Sequence, residues 1–350
     1  MTRTRRLLSA LLPLCLTLGG CGDDSGGDGG VVRLLTHDSF ALSEGLLGAF
    51  TAETGIEVEL LQGGDAGTVV NQAILTKGNP QADVLFGIDS TFLTRALAAD
   101  LFVPYEADGL DQVSTDLLLD AQHRVTPIDY GDVCINYDKA FFAENGLPVP
   151  GHLEDLVDPQ YEDLLVVENP ATSSPGLAFL LASIEAFGED GWEGWWSDLR
   201  ANGVLVVDGW EEAYNGAFSG GGASEGDRPL VVSYASSPPA EVLYADPPVD
   251  EPPTGVIDAS CYRQVEGAGI LVGTDHEDEA GQLIDFLLSE RVQADIPLTM
   301  FVFPARSDVA LPGLFVEHAA QPTTVLEMPP EQIHANRDDW IDRWTDLVIR

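Results

Sequence analysis

Positive charge is what this 350-residue chain has least of: Lys and Arg number 16 against 58 Asp and Glu, a formal net charge of -42. A surface of that sign repels nucleic acid and anionic membranes, so roles that need a basic face are excluded. Solvation in salty surroundings accounts for such a surface, with attraction of cations confined by screening to about 10 Å at 0.1 M salt. Catalytic signatures are missing too. No Walker A loop, GxGxxG, HExxH or CxxC pair occurs, and the six His are scattered without metal-ligand spacing. His37, Asp38 and Ser39 are neighbours, but on a strand alternate side chains point to opposite faces, which rules out a triad built from these three alone. No internal repeat is present, and beyond the N-terminus no apolar run approaches membrane-spanning length.

The N-terminus differs in kind. MTRTRR gives a basic start and LLSALLPLCLTL an apolar core too short to span a bilayer, the pattern of an export signal over residues 1–21. It ends in Leu18-Gly19-Gly20-Cys21, small residues before a Cys, as in a bacterial lipobox whose Cys is lipidated and becomes the mature N-terminus. The alternative is a plain secretory signal with an incidental Cys. Residues 22–30, GDDSGGDGG, have nothing apolar to bury and read as a flexible tether. About 320 residues follow, enough for one large or two medium lobes. The expected location is extracytoplasmic, in the periplasm or at the cell surface, with membrane contact through the N-terminal lipid only. With Cys15 lost in the signal and Cys21 lipidated, Cys134 and Cys261 remain, and leftover thiols outside the cytoplasm usually pair.

From Val31 short apolar runs alternate with helical spacing. VVRLL reads as a strand, SEGLLGAFTAETG as a helix capped by Ser43 and stopped by Gly55, and IEVELL as a strand. TVVNQAILTKG reads as a helix closed by Gly78, ADVLFGID as a strand, and STFLTRALAAD as a helix capped by Ser90. Such alternation argues for parallel βαβ units and an open sheet covered on both faces, with ligands bound beyond the carboxyl ends of the strands. It continues with strands TPIDYGDVCINY, DLLVVENP, GVLVV, LVVSYA and YRQVEGAGILVG and with helices PGLAFLLASIEAFG, EEAYNGAF and EDEAGQLIDFLLSERVQADI. A Pro-rich acidic loop lies at 246–255, and a C-terminal helix sets Trp340, Trp344 and Leu347 on one face for packing.

Seven segments carry something more specific: LLTHDSF (34–40), GGDAGTVVNQ (63–72), ADVLFGID (82–89), PIDYGDVCINYDK (127–139), NPATSSPGL (169–177), DGWEEAY (208–214) and SYASSPP (233–239). In this order they resemble the thiamine-binding solute-binding proteins of bacterial ABC importers, from about residue 34 to the C-terminus. The resemblance implies the two-lobed α/β fold of type II periplasmic binding proteins, each lobe an open sheet flanked by helices. Residues 31–130 and 262–311 would form lobe 1, residues 131–261 and 312–350 lobe 2, and strands near 128–134 and 259–263 the hinge. It implies a monomeric binding subunit with no catalysis, cofactor or metal, whose ligand is thiamine or a thiamine phosphate and whose partner is the permease. Carried over residue by residue, the family's ligand positions fall on Asp65 with Ala66, on Ser173 with Ser174, and on Trp210. They continue on Tyr234, Ala235, Ser236, Ser237 and Pro238. Here Ala66 stands where the family has Gly, and Phe301 where a member offers a Trp, which keeps a π face but weakens cation stacking. Cys134 and Cys261 fall in the crossing strands and are expected to bond there.

The same residues have a physical reading. Thiamine joins a permanently cationic thiazolium to an aminopyrimidine, and its hydroxyethyl arm can carry phosphate. Trp210 and Tyr234 can supply flat faces, at about 0.5 to 2 kcal/mol for each cation–π contact, where the plain alternative is core packing. Asp65, Asp38 and Asp129 are candidates for charge or amine partners, and Tyr130 and Phe301 are further candidate contacts. Ser173 and Ser174 open a helix with Pro175 expected at its first position, and the free N–H groups there suit a phosphate or a hydroxyl equally. Asp65 would come from the first lobe and Ser173, Ser174, Trp210 and Tyr234 from the second, closing on the ligand. Two rivals stay open: a thiaminase-like enzyme with Cys134 as nucleophile, and a binding protein for iron or a polyamine, although Tyr130 and Tyr234 are not adjacent.

Overall fold

The computed structural model describes residues 30–222 and 224–350; the expected export signal, Cys21 and the tether up to residue 29 lie outside the described residues. Strands β1 (Val31–Thr36), β2 (Glu57–Gln62) and β3 (Val84–Asp89) are joined through helices α1 (Leu46–Thr54) and α2 (Ala66–Leu75). Helix α3 (Leu93–Ala98) leads through the short β4 (Phe102–Val103) into β5 (Thr126–Asp138) and α4 (Lys139–Asn145). Then come β6 (Leu165–Glu168), α5 (Ser174–Phe187), α6 (Trp192–Ala201), β7 (Leu205–Val207), β8 (Leu230–Tyr234) and α7 (Pro238–Leu243). The long β9 (Thr254–Leu271), α8 (Glu277–Leu287), α9 (Glu290–Thr299), β10 (Phe303–Pro304), α10 (Gly313–His318) and α11 (Pro330–Trp344) complete the chain.

The strands form one sheet in the order β2-β1-β3-β9-β5-β8-β6-β7. Its two flanks are parallel, as the βαβ pattern predicts: β1 with β2 and β3, and β6 with β7 and β8. Its centre is antiparallel, because β5 and β9 are 13 and 18 residues long and carry the chain from one half to the other and back. The two expected lobe sheets are thus flanks of one mixed sheet. Where the halves meet, the ladder jumps: Val133 pairs with Tyr262 but Ile135 with Ile257. Cys134 and Cys261 sit at that jump and are bonded, their Cα atoms 4.3 Å apart and both side chains buried. Cys134 therefore has no thiolate to offer, and a nucleophilic role for it is overturned.

Several expected helix ends differ for tertiary reasons. Ser43 does not cap α1, because its N–H and hydroxyl both donate to Asp295, at 2.8 and 2.5 Å. The Ser90 hydroxyl accepts from the Val265 N–H at 3.3 Å, and α3 starts two residues later behind Phe92. The segment expected as one helix over 277–296 is two, broken where the Ser289 hydroxyl donates to the Phe286 carbonyl at 2.6 Å. The adjacent His37-Asp38-Ser39 are in a turn after β1 rather than on a strand, so all three can face one side.

Packing ties the halves together at their far end. Helix α5 is buried from Ser174 to Ile184, under a cluster in which Trp196 meets Trp195 and Trp344 edge-on at 5.3 and 5.4 Å. The Trp196 Nε1–H donates to the Ser183 hydroxyl at 2.9 Å, so this large ring is buried without an orphan donor. Helix α11 covers α6 with buried Trp340 and Trp344, and also reaches α3, where the Arg337 guanidinium lies 5.3 Å over the Phe92 ring.

Candidate functional site

A cavity of about 780 Å³, counting its open mouth, lies where the turn after β1, the starts of α2 and α5, and the central strands converge. Its organising residue is Asp65, which caps α2. Oδ1 accepts from the N–H groups of Ala66 at 2.6 Å and Ser174 at 3.4 Å, and Oδ2 from that of Trp210 at 2.9 Å. One carboxylate of the first half thus holds the starts of two helices and the backbone of the 208–210 turn. The Thr68 N–H adds a bond to the Thr172 carbonyl at 3.1 Å, and the Ser39 hydroxyl one to Glu211 at 3.0 Å. Gly67 permits this approach: a Cβ there would sit 2.6 Å from the Thr172 oxygen.

The floor is acidic by register. Asp89 on β3 and Asp129 on β5 both pair with Glu266 on β9, so three carboxylates share one pleat level across neighbouring strands. Asp89 is satisfied: it accepts from the Thr91 N–H at 2.6 Å, from the Thr91 hydroxyl at 2.5 Å and from the Ser174 hydroxyl. Burial nevertheless raises its pKa to about 6. Asp129 is buried with Oδ2 unpartnered among the described residues, and burial followed by the charge of Glu266 pushes its pKa well up. His37 Nε2 lies 3.3 Å from Glu266 Oε1. Burial works against the imidazolium, but Glu266, helped by Asp65 and Asp38, outweighs it and the His37 pKa is raised.

The walls are aromatic. Trp210 stacks on Tyr214 at 5.0 Å and 16°, leaving its other face to the cavity, and its Nε1–H donates to the Ser233 hydroxyl at 2.9 Å. The Tyr234 ring crosses β5 at Gly131, where a Cβ would lie 2.7 Å from it, and its hydroxyl donates to Gln264 Oε1 at 3.4 Å. Phe301, held at φ 55°, meets Tyr244 edge-on at 5.8 Å beside the mouth.

The cavity is lined by Asp65, Ala66, Ser174, Trp210, Tyr234 and Ser237 among the expected ligand positions, and by Asp38, Asp129 and Phe301 among the further ones. Five expected residues do not line it. Tyr130 points away because β5 alternates: Asp129 and Gly131 face the cavity while Tyr130 stacks on Phe303 at 5.2 Å. Ser173 is buried as the cap of α5, its hydroxyl accepting from the Gly176 N–H at 3.5 Å. Ala235 packs beside the disulfide, Ser236 is wholly buried, and Pro238 is buried in the first turn of α7. Sequence reasoning missed Glu266, Gln264, His37 and Tyr214. The first two had a signal, since they are polar at period two in a strand whose other residues are mostly apolar. Among the described residues no group of three or more His, Cys, Asp or Glu has metal-holding geometry.

A two-part α/β molecule with a polar cleft across antiparallel hinge strands is the architecture of an extracellular solute-binding protein. The family model for bacterial extracellular solute-binding proteins matches residues 79–246. The thiamine-binding periplasmic protein of Salmonella typhimurium strain LT2 is 31% identical over 91% of this chain and 94% of its own length. That of Escherichia coli strain K12 is 30% identical over the same shares. A solved periplasmic thiamin binding protein superposes with a TM-score of 0.81 at 29% identity, covering 91% of this chain and 96% of that one. The chain belongs to the family of the thiamine-binding periplasmic proteins.

Proposed function

We propose that this protein is the extracytoplasmic substrate-binding subunit of an ABC importer, capturing thiamine between its two halves and delivering it to the permease. The observation that carries the reading is the pairing of wall and floor: Trp210, backed by Tyr214, and Tyr234 stand with Asp129 and Glu266 around one cavity. Flat π faces and carboxylates together suit a planar cation that also offers an exocyclic amine. The family's binding proteins carry the same ligand in their names. Contacts across the cleft, from Asp65 to Trp210 and from Thr68 to Thr172, form only when the halves meet. A ligand that adds contacts to both halves therefore shifts the population toward this closed arrangement, which the permease can read.

The protein works as a monomer held to the membrane by lipid on Cys21, and Cys21→Ala releasing it from the membrane fraction checks the anchor. Calorimetric titration tests the ligand: thiamine gives saturable heat at one site per chain and spermidine none. Absence of heat with thiamine refutes the reading.

A further inference from the structure

We propose that Glu241 is a positioning residue for thiamine binding: it acts through Tyr214, which sets the plane that Trp210 presents to the ligand. The proposal rests on the thiamine reading above and adds to it a residue that does not itself line the cavity. Trp210 is held in two ways. Its edge is fixed by the Nε1–H bond to the Ser233 hydroxyl at 2.9 Å, and its plane by the Tyr214 ring, stacked at 5.0 Å and 16°. A single bond at the edge leaves the indole free to swing about it, so the face offered to a flat cation depends on where Tyr214 lies.

Tyr214 is buried, and its hydroxyl donates to Glu241 Oε1 at 3.0 Å. The other carboxyl oxygen, Oε2, accepts from the Gly222 N–H at 2.7 Å. Tyr214 lies in the π-helical turn Glu212–Ala217 and Gly222 just beyond it, so Glu241 fastens both to α7, on which it sits. Helix α7 follows closely on Tyr234, the other aromatic wall, and its Ala240 lines the cavity. One buried side chain thereby links the segment that carries Trp210 and Tyr214 to the segment that carries Tyr234. Burial raises the Glu241 pKa, and the bonds from Gly222 and Tyr214 oppose the rise. Its part is geometric: two acceptor oxygens hold two donors from one segment, and truncation leaves the Tyr214 hydroxyl without this acceptor.

Calorimetric titration of the full chain and its variants with thiamine tests this, with urea unfolding as the control for fold. Glu241→Ala should bind about tenfold more weakly than the native chain. Tyr214→Phe, which keeps the stacked ring and loses only the tether, should lose a similar factor. The double variant should lose no more than either alone, because both changes cut one link. Glu241→Gln keeps an acceptor oxygen for Gly222 and offers an amide N–H to the Tyr214 hydroxyl, so it should recover most of the loss. Glu241 also borders the open hollow outside the cavity, where its charge could attract the cation. Gln would then lose as much as Ala, and that result overturns the positioning role. Losses that multiply in the double variant overturn action through Tyr214. Glu241→Ala binding within about threefold of the native chain overturns the proposal and leaves the thiamine reading standing, whereas a native chain that gives no heat with thiamine overturns both. Should the Ala variant fail to fold, Tyr214→Phe carries the test, and affinity within about threefold of native overturns the proposal.

Discussion

Trp210→Ala separates binding from folding at this site. The ring gives one face to Tyr214 at 5.0 Å and one to the cavity, so truncation removes the ligand's platform while leaving Tyr214 in place behind it. A cation–π contact in a partly desolvated site is worth about 0.5 to 2 kcal/mol. The apolar area that the ligand buries against the ring adds about 1.5 to 2 kcal/mol, discounted because the ring is already half-buried in the empty protein. The total of about 2 to 4 kcal/mol is a loss in affinity of roughly 30- to 1000-fold. Stability should move little. The lost bond from Nε1 to Ser233 costs about 1 kcal/mol, and the Ser233 hydroxyl keeps the Ser237 hydroxyl at 3.2 Å, so no buried polar atom is orphaned. Calorimetry on the variant, with urea unfolding as the control for fold, makes the measurement. Trp210→Phe, which keeps a π face but gives up the N–H and the wider indole, should lose less affinity than the Ala variant. A folded Trp210→Ala protein binding thiamine within about threefold of the native chain would refute the placement of the ligand on this ring.

Two further outcomes follow from buried groups. Asp89 is fully buried and its pKa is raised from 3.8 to about 6, so its contribution to stability is greatest below pH 3.8 and is lost as pH rises through about 6. Asp89→Asn should therefore be more stable than the native chain at pH 7.5, by up to about 3 kcal/mol, and equal to it at about pH 3.5; a less stable variant at pH 7.5 in urea unfolding contradicts this. The bond from Cys134 to Cys261 closes a separation of 127 residues, for which loop-closure entropy suggests about 4 to 5 kcal/mol. Replacing both by Ala should lower Tm by about 10 °C, and no difference in Tm would show that the reduced chain is already as constrained as the oxidised one.

The sequence was most legible where periodicity is local. Strands β1, β3, β6 and β8 follow from short apolar runs and helix α5 from a longer one, and the start of α5 from Ser173 and Pro175. The antiparallel centre was not legible, because the pairing of Asp129 with Glu266 joins residues far apart in sequence and no local pattern fixes that register. Caps failed for the same reason. Ser43 and Ser90 are good cap residues, yet Asp295 and Val265 compete for them from elsewhere in the chain. On β5 the alternation was visible, but which face meets the ligand was not, so Tyr130 was grouped with Asp129 although they point apart. Helix α6 had a readable signal that Gly191 and Gly194 obscure: Trp192, Trp195 and Trp196 recur at spacings of a helix and are all buried.

The acids of the cleft divide by what already holds them. The oxygens of Asp65 are met by three backbone N–H groups, so this residue, which also lines the cavity, ties the two halves together. Asp129 has an unpartnered oxygen and faces Glu266, and burial together with that neighbour disfavours its charged form, which is why its pKa is raised. On the proposed thiamine reading a cation beside Asp129 favours its carboxylate, whereas a neutral molecule of the same shape would not. A ligand shifts a two-state equilibrium only by its difference in affinity for the two states, and on the proposed reading the acidic floor is the part of the cavity that tells a cation from a neutral ring of the same shape.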